Sequence, residues 1–100
     1  MKKRRVYPIT GSGTGSYQLA TTTVDNLAQG DVAINCPGIN AGEAIRVSPG
    51  TGGAGTGFGI VGAWCGTNNS VSVRFLNTSG IAAAPTAPTS TAPYFVIVDG

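Results

Sequence analysis

Ser70-Val71-Ser72-Val73-Arg74-Phe75 decides the fold. Three apolar side chains, Val71, Val73 and Phe75, alternate with the polar Ser70, Ser72 and Arg74. Successive side chains of a strand point to opposite faces, so the pattern predicts a strand with one face in a core and the other in water. Working outward, Gly66-Thr67-Asn68-Asn69 carries the residues of a hairpin turn, and residues 58–65 before it form the partner strand. Val32-Ala33-Ile34-Asn35-Cys36 places Val32, Ile34 and Cys36 on one face, and Ala44-Ile45-Arg46-Val47-Ser48 turns Ile45 and Val47 inward. Residues 17–24 favour strand through their threonines and valine, and Tyr94-Phe95-Val96-Ile97-Val98 closes the series. Between these runs stand turn signals: Asp25-Asn26, Gln29-Gly30-Asp31, Pro37-Gly38 and Asn77-Thr78-Ser79-Gly80. Leu27 reads as a core plug between the first two.

No window of ten residues shows helical periodicity free of Gly or Pro. Residues 49–57 are almost bare of side-chain mass and predict a mobile loop. Residues 81–93, rich in Ala, Thr and Pro, favour an extended, polyproline-like path and forbid a helix. Connections this short leave no room for crossover helices, so the sheets are mainly antiparallel. The expected fold is all-β: a single small antiparallel β-sandwich or barrel-like domain of about six or seven strands. One hundred residues make one domain. Residues 1–16 read as a basic, Gly-rich N-terminal arm, and residues 17–100 as the domain.

Charged residues are only 10% of the chain, against a usual share near 25%. Lys2, Lys3, Arg4 and Arg5 are consecutive, while residues 6–100 hold Arg46 and Arg74 against Asp25, Asp31, Glu43 and Asp99. The net charge of +2 is therefore a basic start on a mildly acidic body. No apolar stretch is long enough for a membrane helix, and no apolar segment of a secretory signal follows the basic start. That points to a cytosolic origin, in which Cys36 and Cys65 default to buried thiols, with a disulfide as the alternative.

The catalytic inventory is thin. There is no histidine, so no Ser–His or Cys–His pair can form. The four acids lie mainly in or beside turns, whereas a glycosidase needs two carboxylates facing one cleft. Two cysteines without histidine do not fill a four-ligand zinc site. Two chance matches to a Gly-rich nucleotide motif lack the strand before and the helix after. The expectation is a non-enzyme with no cofactor and no metal. Lys2, Lys3, Arg4 and Arg5, followed by the apolar Val6, Tyr7 and Ile9, are the candidate partner-binding residues. A solvated tail needs no such anchors, and a body of net negative charge ranks nucleic acid below a protein partner. Residues 94–98 and 58–65 are apolar on both faces: Tyr94, Val96 and Val98 against Phe95 and Ile97, and Phe58, Ile60 and Trp64 against Val61, Ala63 and Cys65. A sandwich strand normally keeps one polar face. The second face then needs a cover, either the chain's own arm or loop such as residues 81–93 or a neighbouring subunit, and Phe95, Ile97, Val61 and Cys65 are the candidate subunit interface.

Residues 42–49 (Gly-Glu-Ala-Ile-Arg-Val-Ser-Pro), Val61-Gly62-Ala63-Trp64-Cys65, residues 69–80 with Val71-Ser72-Val73-Arg74, and Tyr94–Val98 together resemble a recurring β-domain of tailed-bacteriophage virion proteins. The resemblance covers about two-thirds of the chain. It implies a capsid decoration (cement) protein, carried on the virion and assembled in the host cytoplasm. Its partners would be the major capsid protein and itself, as a small homo-oligomer such as a trimer. The alternative within the same resemblance is a tail or fibre adsorption module, in which Trp64, Tyr94 or Tyr17 stacks on host-surface glycans. Nucleic-acid binding through the basic start ranks third, and no membrane partner is expected.

Overall fold

The computed structural model describes residues 4–13, 15–20, 22–50 and 53–99. Eight strands form two sheets: β1 (Arg5–Ile9), β2 (Gly11–Ser12), β3 (Gln18–Leu19), β4 (Gln29–Asn35), β5 (Ile45–Ser48), β6 (Phe58–Thr67), β7 (Ser70–Asn77) and β8 (Tyr94–Val98). One sheet has the order β1-β8-β5, the other β2-β3-β4-β7-β6. All pairings are antiparallel except the short β2–β3 ladder. The fold is all-β and sandwich-like, with eight strands where six or seven were expected; two of the eight are only two residues long.

β7 occupies the place its alternation demands. It lies between β4 and β6 and buries Val71, Val73 and Phe75 completely. Facing it across the core, β8 is the middle strand of the smaller sheet and buries Tyr94, Val96 and Val98. The core fills with Ile9 from β1, Leu19 from β3, Val32 and Ile34 from β4, and Cys36 and Ile39 from the turn beyond. Each such side chain contributes about 1.5–3 kcal/mol on leaving water. Cys36 and Cys65 are both buried and both free thiols.

Four sequence expectations give way to the structure. The arm is the first. β1 pairs along its whole length with β8, from Arg5 opposite Val98 to Ile9 opposite Tyr94, and Ile9 has no exposed surface. Thr10 then carries the chain from one sheet into the other, so the Gly-rich stretch begins as a corner between sheets. Lys2 and Lys3 lie outside the described residues, as does Thr14. Leu27 is the second: it sits at φ +60 in a tight turn and is 74% exposed, not a core plug. Third, residues 17–24 keep only Gln18–Leu19 as strand, while Val24 makes an isolated bridge to Ala83. Fourth, the loop at 49–57 is partly fixed: Ala54 is buried and its carbonyl accepts the Thr86 amide at 2.9 Å.

The 81–93 segment is part of the wall. Pro85 and Pro88 are buried, and the Tyr94 hydroxyl donates to the Thr86 carbonyl. Asn77, the one fully buried polar side chain among the described residues, ties the segment's start down. Its amide donates to the carbonyls of Val24 and Ile81, both at 2.8 Å, and its oxygen accepts from Ser79.

Candidate docking face

β8 is the strand whose two faces were both apolar in sequence, and the sheet register says what its second face becomes. Val6, Ile97 and Arg46 form one row across the outside of the small sheet; Pro8, Phe95 and Ser48 form the next. Val6 is 52% exposed and Pro8 is open to solvent, while Phe95 and Ile97 are half-buried. The result is an apolar centre with charge at one end. There Asp99 accepts from Arg46 at 3.1 and 3.4 Å and pairs with Arg4 at 3.4 Å. Exposed pairs of this kind are worth no more than about 1 kcal/mol each, so they orient side chains more than they hold the fold.

Round the β5 edge the apolar surface continues into an open cleft of about 310 Å³ between β5 and β6. Ile45 and Val47 line it from one sheet and Ile60, Val61 and Ala63 from the other, with Arg46 at the lip. Val61 is 48% exposed because β6 bulges there: Ile60 pairs with Phe75 and Gly62 with Arg74, leaving Val61 as the extra residue. A bulge shifts the facing of everything after it. Strict alternation had put Val61, Ala63 and Cys65 on one face; instead Ala63 lies opposite Val73 and Cys65 turns into the core at 5% exposure.

The candidate residues thus separate. Phe95 and Ile97 share the outer face of the small sheet with Val6, Val61 lines the β5–β6 cleft with Arg46 at its lip, and Cys65 is interior. Ile9 is also interior, and Tyr7 faces inward along β1, its ring stacked on Tyr17 at 6.1 Å. Arg5 is held by Glu43 and donates to the Gly38 carbonyl at 3.1 Å and to the Tyr7 hydroxyl at 3.2 Å. Arg5, Tyr7 and Ile9 therefore anchor β1 to its own domain, and Arg4 and Val6 are left facing outward. The signal for this division was the parity of β1, legible only once β1 is known to be a strand.

The outside of the larger sheet differs. It presents Gln29, Asp31, Ala33 and Asn35 from β4 and Ser70, Ser72, Arg74 and Leu76 from β7. Arg74 grips Asp31 through two hydrogen bonds of 2.8 and 3.1 Å, and its guanidinium lies 5.0 Å from the centre of the Trp64 ring. The hydrogen bond from Arg74 holds the Asp31 carboxyl below its ordinary value. Of the three rings put forward as glycan platforms, Tyr94 is buried, Tyr17 is half-buried under Tyr7, and Trp64 is 39% exposed.

Among the described residues no group of three or more His, Cys, Asp or Glu side chains converges as a metal site would require. Nor is any helix there long and apolar enough to cross a membrane. No family model, curated protein or solved structure matches the chain.

Proposed function

We propose that the chain is a non-enzymatic virion structural protein of a tailed bacteriophage, a capsid decoration protein that docks on the shell through the outside of its three-stranded sheet. The observation that carries this reading is the Val6–Ile97–Arg46 and Pro8–Phe95–Ser48 grid, an apolar sheet face left in solvent. The charges around it favour an acidic protein surface as the occupant. Arg4 and Arg46 outnumber Asp99 there, and Lys2 and Lys3 precede Arg4 in the sequence. Opposite charge across an interface sets register and speeds encounter, while the apolar centre supplies the lasting attraction.

Size supports a repeating partner. Three strands about 4.8 Å apart and four or five residues long offer roughly 200–300 Å² of face. A stable interface takes about 800 Å² per partner. One copy alone binds weakly, and a small homo-oligomer engaging several equivalent shell sites gains by avidity. The β5–β6 cleft, with Val61 at its edge, extends the same surface toward a neighbouring copy.

The test is co-sedimentation of the full chain with shells assembled from the major capsid protein of the same genome. Stoichiometric binding that Ile97→Lys weakens at least tenfold, with unchanged circular dichroism, supports the proposal. No binding, or binding indifferent to Ile97→Lys and Val6→Asp, refutes it.

A further inference from the structure

We propose that the outside of the five-stranded sheet carries a second, separate site: a saccharide subsite built on Trp64, which takes a neutral hexose unit. Three features of β4, β6 and β7 converge there. Trp64 stands on the outer face opposite Ser72 and remains exposed. Its strand crowds it little: Gly62 faces open space, with no atom within 4 Å of where a Cβ would sit, and Gly66 brings a bare backbone to the pyrrole edge, 3.8 Å from its would-be Cβ, while the Arg74 guanidinium of β7 lies over one face of the ring, 5.0 Å from its centre. Glycine inside a strand costs packing and order, and two flanking one tryptophan leave a shelf for something to approach the backbone closely. Beside the shelf, Asp31 and Arg74 form a fixed polar fork, locked by their own paired hydrogen bonds.

This is the chemistry a sugar ring requires. The apolar C–H face of a hexopyranose stacks on an indole, and its vicinal hydroxyls accept from a guanidinium and donate to a carboxylate. Asp31 and Arg74 cancel in charge, which favours neutral hexoses over uronic or sialic acids. Trp64 cannot be explained as core, since Val73 and Ala63 supply the inner face at that level of the sheet. The site lies on the opposite sheet from the docking face, so either can fail without the other.

The chain has one tryptophan, so its indole N–H gives a single resonance in a ¹H–¹⁵N spectrum. The full chain is titrated with linear hexasaccharides of glucose, mannose and galactose up to about 10 mM, where a Kd on the order of 1 mM is saturating. At least one sugar is expected to move the Trp64 indole resonance saturably, together with the amides of Gly62 and Gly66. Trp64→Phe should keep affinity within about tenfold, and Trp64→Ala, read through the Gly62 amide, should lose more than tenfold. Arg74→Lys, which keeps the charge but breaks the fork, should weaken binding without unfolding the sheet. Absence of saturable shifts with all three sugars, or shifts that survive Trp64→Ala, would overturn the site. A ladder that serves only stability predicts that outcome, with Arg74→Lys altering the melting temperature alone.

Discussion

The outer faces of the two sheets are made by opposite rules. The five-stranded sheet follows the usual one: β4 and β7 alternate, and their outward residues are Asp, Asn, Gln, Ser and Arg, with Ala33 and Leu76 the apolar exceptions. The three-stranded sheet breaks it. Its central strand is apolar on both sides, and its outer rows carry Val, Pro, Phe and Ile. A lone soluble domain gains nothing from leaving that face uncovered. Polar side chains would serve there at no cost to the core, because the inward positions of β1, β8 and β5 are already filled. The difference is the one the proposed docking predicts: an apolar outer face on the smaller sheet and a mostly polar one on the larger.

The largest effect tests whether β1 belongs to the apolar face or only hangs beside it. Deleting residues 2–10 removes an edge strand and the wholly buried Ile9. The expected result is loss of the cooperative thermal transition by circular dichroism; a detachable arm would leave it intact. Ile9→Ala alone should lower stability by about 2–5 kcal/mol in urea denaturation. Next, matched substitutions on the two faces sharpen the contrast. Ile97→Lys and Leu76→Lys both stand on outer faces, so each should change stability by less than about 1 kcal/mol. Only Ile97→Lys should reduce shell binding, by tenfold or more.

How much of this was legible in the sequence differs between the faces for the same reason. β4 and β7 announce themselves because alternation is local and unbroken. β8 was legible as well, and the structure places its second apolar face, Phe95 and Ile97, on the outside of the small sheet. What failed was non-local. Whether 5–9 is an arm or a strand depends on a partner nearly ninety residues away, and the basic run and Pro8 disguised it. The facing of Val61, Ala63 and Cys65 depends on a bulge that only the β7 register defines. Ile39, fully buried between turn residues, carried no periodic signal at all. The Asp31–Arg74–Trp64 cluster spans three strands, with Trp64 diagonal to Arg74, and appears only when their registers are known.

Two smaller predictions compare the interior the faces share with the polar surface. Burial, with a lesser push from nearby Cys65, raises the Cys36 thiol from 9.0 to about 11. The unfolded chain releases that proton first, so stability is full below about pH 9 and falls as pH rises from 9 toward 11. Burial likewise raises the Tyr94 hydroxyl from 10.0 to about 12, extending the loss further. Cys36→Ala should lower the melting temperature at pH 7 and flatten its decline between pH 9 and 10. The smallest effect lies on the polar face. Asp31 is held below its ordinary 3.8 by Arg74, so the pair's contribution is complete above about pH 4 and is lost as pH falls through the lowered value. Asp31→Asn should lower the melting temperature slightly above about pH 4 and leave it unchanged at the acid end, flattening the acid limb of the profile.

Hydroxyl-radical footprinting of the chain free and bound to assembled shells tests the central claim most directly, because it reads side chains on each face separately. Binding should protect Val6, Phe95 and Ile97 and leave Trp64 and Leu76 as reactive as in the free protein. Protection of Trp64 and Leu76, with Phe95 and Ile97 unchanged, would contradict it.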